Sequence, residues 1–184
     1  MWRNKMARGF EIVSKYKEAD LKLPYRTTKN AAGYDFQSAK DLVLPSIWKL
    51  NFLKILWAIR QEKKPSEGQI SEAKEVLKPF LIPTGIKAYM NPNEVLIIAN
   101  RSSNPLKRGM VVPNGIGVID ADYYNNPSNE GEIFVQMVNF GIEDIHITKG
   151  QRIAQGIFLP FLLADNDAGQ IKQVRKGGFG SSDK

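Results

Sequence analysis

The chain has 184 residues, of which 42% are hydrophobic and 24% are charged, so a packed core is expected and global disorder is not. The net charge of +7 suits a polyanionic partner, namely a nucleotide, a nucleic acid or an acidic membrane surface. The absence of cysteine excludes disulfides, thiol catalysis and cysteine-ligated zinc.

The first part of the chain predicts short strands. Residues 9–14 have the composition of a strand, and residues 42–44 form another that Pro45 ends. Between them, Pro, Gly and Asn divide the apolar segments. No secretory signal is recognised, and the longest apolar-rich stretch, residues 47–59, is too short to span a bilayer. We therefore expect a cytoplasmic protein without a membrane partner.

Residues 46–78 differ in character and predict a helical insertion in a β protein. Residues 47–60 lack Gly and Pro and have apolar side chains at helical spacing. A polar loop at 62–68 precedes a second helix, which Ser71 is expected to cap and which ends before Pro79. The insertion is either a structural cap or a binding element for a protein partner, which its aromatic side chains in a basic segment would suit (Trp48, Phe52 and Trp57).

From Phe80 the strand pattern returns and continues to about residue 158. Short apolar segments alternate with turns rich in Gly, Pro and Asn, which predicts a β-sandwich, a jelly roll or a barrel. After a hinge at 165–169, the chain ends in a glycine-rich arm. The predicted organisation is one β domain over residues 1–168, with the insertion at about 46–78, followed by a flexible arm over 169–184.

Residues 114–123 could carry catalysis. Asn114-Gly115 between two apolar strands predicts a hairpin, whose backbone could read the edge of a small base. A carboxylate at the end of the second strand, Asp120 or Asp122, could act as a general base on water. Alternatively, this is an ordinary hairpin whose two carboxylates are only solvated.

Three other segments could hold phosphates. The guanidinium of Arg101 and the hydroxyls of Ser102 and Ser103 suit phosphate oxygens, although such triplets are common in surface loops. Gln155 could donate a hydrogen bond to a phosphate or be a plain surface side chain. In the arm, one aromatic ring among three glycines could stack on a base, unless the arm is a frayed basic tail.

Other catalytic constellations are missing from the sequence. His146 is the only histidine, lies between two isoleucines and is expected to face outward without a role. With no cysteine and no second histidine, it offers no metal site. The sequence contains neither a Gly-x-Ser-x-Gly elbow nor a Walker loop, so nucleophilic catalysis has no candidate.

Taken in order, five segments resemble the five motifs of the trimeric deoxyuridine triphosphatases (dUTPases). The resemblance covers about residues 31–44 and 79–182, and residues 114–123 are its most specific part. Each motif alone is a weak to moderate match, but five in the right order make a strong one. The matching segments are 32–35, 101–109, 114–123, 150–155 and 175–182.

The resemblance implies a mainly β fold, a jelly-roll-like barrel of the dUTPase β-clip type, assembled as a homotrimer with shared active sites. The arm of one subunit would close a site built by two others. The implied reaction is hydrolysis of dUTP to dUMP and pyrophosphate, which keeps uracil out of DNA and supplies dUMP for thymidylate synthesis. The cofactor would be Mg²⁺, held by the substrate phosphates and water rather than directly by protein side chains.

The resemblance also implies a role for each matching residue. Asp120 would activate the attacking water, Asn114 and the backbone near Gly117 would read uracil, and Tyr123 would exclude a 2′-hydroxyl. Asp35 would lie behind the metal–phosphate cluster. The remaining residues would bind substrate, mainly its phosphates, with Phe179 stacking on uracil: Arg101, Ser102, Ser103, Gln155, Arg175, Phe179, Gly180 and Ser181.

Three departures from the family pattern stand out. The arm is one residue shorter between Arg175 and Phe179, residues 125–130 lengthen the turn after Tyr123, and the segment 46–78 is absent from compact family members. The alternatives are a dCTP deaminase-like enzyme and a regulatory or binding protein with the same fold. A nucleic-acid partner is not expected, because Asp120 and Asp122 would repel a phosphate backbone.

Overall fold

The computed structural model describes residues 8–49, 52–61, 64–76, 78–167 and 177–178. Strands dominate these residues, and three α-helices accompany them. In chain order the elements are β1 (Gly9–Ile12), β2 (Tyr34–Gln37), β3 (Leu42–Leu44), α1 (Phe52–Arg60), α2 (Glu67–Val76), β4 (Phe80–Pro83), β5 (Ile86–Tyr89), β6 (Glu94–Asn100), α3 (Ser103–Arg108), β7 (Met110–Val111), β8 (Ile116–Asp120), β9 (Phe134–Asn139), β10 (Ile145–Ile147) and β11 (Arg152–Pro160).

The strands pair antiparallel in four small sheets. The largest has the order β2-β11-β6-β8, a second has the order β4-β9-β7, and two pairs, β1-β5 and β10-β3, complete the set. Because non-consecutive strands are neighbours, long connections cross between sheets, as in a jelly roll. The predicted mainly β, jelly-roll-like fold with a helical insertion is confirmed.

The core lies between the inward faces of these sheets, and the sequence sets those faces by alternation. In β6, Leu96 and Ile98 are buried while Val95 and Ile97 are only partly covered, which is the period of a strand with one inner face. The largest side chains of the core come from many strands, so the sheets close on one apolar centre: Phe36, Leu44, Ile82, Ile86, Leu96, Met110, Ile133, Met137, Ile147 and Ile153.

The prediction that the strands on either side of Asn114-Gly115 pair with each other as a hairpin is wrong. The turn is present, since Gly115 has a φ of +72° and its N–H donates to the Val112 carbonyl at 3.0 Å. Its flanking strands separate, however: β7 pairs with β9, and β8 pairs with β6 over five residues. Because β7 has only two residues, it is too short to pair along the five residues of β8. The turn therefore connects two different sheets.

The helical insertion begins its second helix earlier than predicted. Ser66, not Ser71, caps α2: the Gln69 N–H donates to the Ser66 hydroxyl at 3.3 Å, and the Ser66 N–H donates to the Gln69 Oε1 at 2.9 Å. This reciprocal capping box stabilises a helix start at Ser66. Ser71 therefore does not begin the helix but lies inside it. Ile55 and Ala73 are buried, whereas Trp57 is 60% exposed. The partner-binding interpretation stays a prediction.

Two smaller points concern the surface. His146 is exposed, as the alternation in β10 predicts. Within the described ranges, none of the helices is long and apolar enough to cross a membrane.

An ion pair between exposed Arg8, the first described residue, and buried Glu94 at the start of β6 is expected to make stability depend on pH. Glu94 accepts hydrogen bonds from the Arg8 guanidinium and, at 3.2 Å, from the Asn91 N–H. The Arg8 hydrogen bond lowers the pKa of Glu94 to about 2 from 4.5. The stabilisation is therefore complete above the unfolded-state pKa and is lost as the pH falls toward 2.

Glu94→Gln should cost about 1.5–3 kcal/mol of unfolding free energy at pH 7, the usual contribution of a charged hydrogen bond. Urea unfolding at pH 7 and at pH 2.5 measures this, and the difference between variant and wild type should shrink at the lower pH. The matched control is Glu18→Gln, a substitution of an exposed glutamate, which should change stability little. An equal difference at both pH values would contradict the assignment.

Candidate active site

The end of β8 places Asp120 at a surface depression. Asp120 is half-buried and precedes a single 3₁₀ turn, Ala121–Tyr123, which redirects the chain out of the sheet. The depression has a volume of about 500 Å³, and Asp120 and Asp122 provide its carboxylates. Met90, Pro92 and Phe161 form much of the remaining wall. The predicted base therefore lies beside open space with apolar walls.

A second cavity, of about 230 Å³, opens between β8 and β9 and brings three predicted residues together. Asn114, Gly117 and Tyr123 line it, and most of the other lining side chains are apolar: Ile98, Val112, Val118, Ile119, Ile133, Phe134 and Val135, with Gln136 the polar exception. A small, mainly apolar cavity with a few convergent polar groups is typical of a ligand site.

The glycine-rich arm reaches this cavity. Gly178 lines it, and a Cβ added at Gly178 would lie 2.9 Å from the Tyr123 Cε2 atom, closer than normal contact. Only a residue without a side chain fits this approach without displacing the ring. The predicted arm residues Arg175, Phe179, Gly180 and Ser181 lie outside the described residues, so their roles stay predictions.

A cationic cluster lies at the β2 and β11 end of the large sheet. Asp35 in β2 accepts from Arg101 Nε at 3.0 Å, from Arg152 Nη1 at 3.1 Å and from the Thr27 hydroxyl at 2.6 Å. Burial alone would raise the pKa of Asp35, but the hydrogen bonds from Thr27 and Arg152 and the charge of Arg101 hold it below its ordinary value. Asp35 therefore stays ionised and orients two guanidiniums.

The residues around Arg101 are fixed by a buried amide that the sequence analysis did not single out. The Asn104 Nδ2 donates to the Asn100 Oδ1 at 2.8 Å and to the Ile153 carbonyl at 2.7 Å. This fastens the start of α3 to β6 and β11. Ser102 is exposed at the N-terminal end of α3, and Ser103 is half-buried in its first turn. Both hydroxyls thus lie next to Arg101 in the chain.

Gln155 belongs to the same cluster through the strand register. It lies opposite Asp35 on one side and Ala99 on the other, and its Nε2 donates to the Asn100 carbonyl at 3.0 Å. A Cβ at Gly33 would lie 2.7 Å from the Gln155 Oε1, so a larger residue there would displace the Gln155 amide. Arg152, which pairs with Asp35, was given no role from the sequence; the only signal for it was its position within the matching segment 150–155.

The single chain does not bring Asp120 and Arg101 together. Asp120 lies opposite Val95 in β6, whereas Arg101 follows the last residue of that strand. Arg101 lies six positions beyond Val95 along extended chain, which corresponds to about 20 Å. The predicted base and the cationic cluster therefore occupy opposite ends of one sheet.

Comparisons with known proteins agree on one family. The dUTPase family profile matches residues 71–183. A deoxyuridine 5′-triphosphate nucleotidohydrolase of Lactococcus lactis is 46% identical over 95% of this chain and 97% of its own, and one of Desulfitobacterium hafniense is 33% identical over 90% of each chain. The crystal structure of the Streptococcus mutans dUTPase is 40% identical and superposes with a TM-score of 0.66 over 86% of this chain and 99% of its own. This chain belongs to the dUTPase family.

Proposed function

We propose that this protein hydrolyses dUTP to dUMP and pyrophosphate; its relatives are named deoxyuridine 5′-triphosphate nucleotidohydrolases. The observation that carries the proposal is the cavity lined by Asn114, Gly117 and Tyr123, which come from the segment 114–123 that also contains Asp120. A pyrimidine held there by Asn114 and the neighbouring backbone would leave its triphosphate pointing out of the cavity. The ring of Tyr123 would then pack against the deoxyribose.

Asp120 is the general base in this proposal. Its carboxylate takes a proton from a water molecule, whose oxygen forms a bond to the α-phosphorus. The bond from the α-phosphorus to the oxygen that bridges to the β-phosphate breaks, and pyrophosphate leaves. Such phosphoryl chemistry asks the protein mainly for positioning and charge stabilisation, so a single carboxylate suffices as the protein's reacting group.

The phosphates are bound by the cationic cluster. Arg101 is held in place by Asp35 and presents its remaining N–H groups, with Ser102, Ser103 and Gln155 as further donors. A guanidinium oriented by a carboxylate binds phosphate with less loss of conformational freedom than a mobile one. The arm residues Arg175, Gly180 and Ser181 complete the phosphate contacts, and Phe179 covers the uracil.

A homotrimer with shared sites would resolve the separation of Asp120 from Arg101. One triphosphate cannot lie beside both groups of a single chain across about 20 Å of strand, but it can lie between Asp120 of one subunit and Arg101 of another. The edge strand β8 supports assembly, because its two exposed side chains are apolar: Val118 is 56% and Ile116 49% exposed.

The donor set fits a magnesium ion carried by the substrate. Among the described residues, no group of three or more Asp, Glu or His side chains could hold a metal ion. Asp35 is already engaged by two arginines and suits a position behind the phosphates rather than in contact with the ion. Mg²⁺ bound to phosphate oxygens and water would neutralise part of the triphosphate charge.

A nucleotide panel tests the function. The protein is incubated with Mg²⁺ and each dNTP or UTP, and pyrophosphate and ammonia are assayed. Pyrophosphate from dUTP alone is the expected result. Ammonia from dCTP would instead indicate a deaminase, and no product from any nucleotide would indicate a regulatory or binding protein with this fold.

A further inference from the structure

The long turn after the 3₁₀ segment, residues 125–130, holds the ring of Tyr123 from outside the cavity. Asn129 donates from its Nδ2 to the Tyr123 hydroxyl at 2.9 Å, and that hydroxyl donates to the Glu132 carbonyl at 3.0 Å. Tyr123 is only 6% exposed. Its hydroxyl therefore has both a donor and an acceptor partner, which fixes the far end of the ring.

The same turn also fixes the backbone of Tyr123. Asn126, which is buried, donates from its Nδ2 to the Tyr123 carbonyl at 3.0 Å and to the Asn129 Oδ1 at 2.7 Å. A Cβ added at Gly131 would lie 2.5 Å from the Tyr123 carbonyl oxygen, at a φ of +80°. The turn thus packs against both the backbone and the hydroxyl of Tyr123.

The turn is itself anchored to the two-stranded sheet of β1 and β5. Lys87 in β5, whose side chain is largely buried, donates from its Nζ to the Asn125 Oδ1 at 2.6 Å. The carboxylates of Glu11 and Glu130 lie 3.7 and 3.6 Å from the same ammonium. Asn125 and Glu130 adopt positive φ values, 55° and 59°, so the turn holds a defined shape that few sequences favour.

We propose that Asn129 is a positioning residue that fixes the Tyr123 ring and thereby sets the discrimination of this enzyme between deoxyribonucleotides and ribonucleotides. The proposal rests on the proposed function, in which the ring packs against the sugar. A ring whose hydroxyl has both partners resists moving aside for a 2′-hydroxyl, whereas a ring whose hydroxyl keeps only the Glu132 carbonyl is less restrained. The deoxyribonucleotide needs no such movement, so its turnover depends less on Asn129.

The test compares kcat/KM for dUTP with kcat/KM for UTP. Asn129→Ala should lower the ratio of the two about five-fold, because only one of the hydrogen bonds that its side chain makes, the neutral one to the Tyr123 hydroxyl, restrains the ring directly. Most of that change should come from faster UTP hydrolysis. The matched control is Ser128→Ala in the same turn. The observed hydrogen bond of the Ser128 side chain is to Asn126, not to Tyr123, so removing the Ser128 hydroxyl should leave the ratio unchanged.

Tyr123→Phe keeps the ring and removes the hydroxyl, so it should lower the ratio as well. Adding Asn129→Ala to Tyr123→Phe should then have little further effect on the ratio, because the contact between Asn129 and the Tyr123 hydroxyl is already absent from Tyr123→Phe. Equal loss of dUTP and UTP activity in Asn129→Ala, or an unchanged ratio in Tyr123→Phe, would overturn the inference. A wild-type protein that fails to hydrolyse dUTP would instead overturn the proposed function. Thermal unfolding of each variant shows which have folded, and if Asn129→Ala does not fold, the ratio in Tyr123→Phe decides.

Discussion

Asp120→Asn is expected to abolish most turnover while leaving dUTP binding intact. The amide has nearly the same shape as the carboxylate but cannot accept a proton from water, so the loss should be that of a general base, about 10²–10⁴-fold in kcat. Steady-state kinetics measure the rate, and calorimetry with a non-hydrolysable dUTP analogue measures binding. The cavity in which we propose the uracil binds does not include Asp120, so affinity should change little.

Asp122→Asn is the matched control for this substitution. Asp122 borders the same depression two residues further along but is exposed within the 3₁₀ turn. Its replacement should lower kcat only a few-fold. If the two variants turned over dUTP at equal rates, or if Asp120→Asn kept the wild-type rate, Asp120 would not be the base.

Asp35→Asn should lower the stability of the fold and weaken the proposed phosphate site. The side chain of Asp35 is 13% exposed and pairs with two guanidiniums, so the amide leaves Arg101 and Arg152 without their counter-charge. Breaking a largely buried ion pair costs about 3 kcal/mol of unfolding free energy. Arg101 would also lose its orientation, and kcat/KM for dUTP should fall roughly tenfold to a hundredfold, the usual effect of a weakened charged hydrogen bond.

The pH dependence of this effect follows from the lowered pKa of Asp35. Because the folded-state pKa lies below the unfolded value of 3.8, the stabilisation is present above that pH and is lost as the pH falls through the folded-state pKa. Urea unfolding from pH 7 to pH 3 should therefore show the variant and the wild type converging at low pH. Asp165→Asn, at an exposed position, is the control and should match the wild type throughout. A constant difference across that range would contradict the role of the Asp35 charge.

Much of the fold and the site follows from local patterns. The period-two alternation in strands such as β6 and the turns between them predict a mainly β fold, and the helical spacing in 47–60 predicts the insertion, because these signals depend on neighbouring residues only. Asn114, Gly117 and Tyr123 could be proposed together since they lie within ten residues of each other. The helix cap at Ser66 was also readable, as its partner Gln69 is three residues away.

The amino-acid sequence by itself determined the β class and the helical insertion. It also determined the family, because the five family motifs occur in it in the right order. The tertiary structure alone decided which strands pair, and it separated β7 from β8, which a local turn signal had joined. It also placed Asp120 and Arg101 at opposite ends of one sheet and brought the Asn129 amide to the Tyr123 hydroxyl. Strand pairing joins residues far apart in the chain, and its outcome depends on the competition of all strands for partners, which no local window contains.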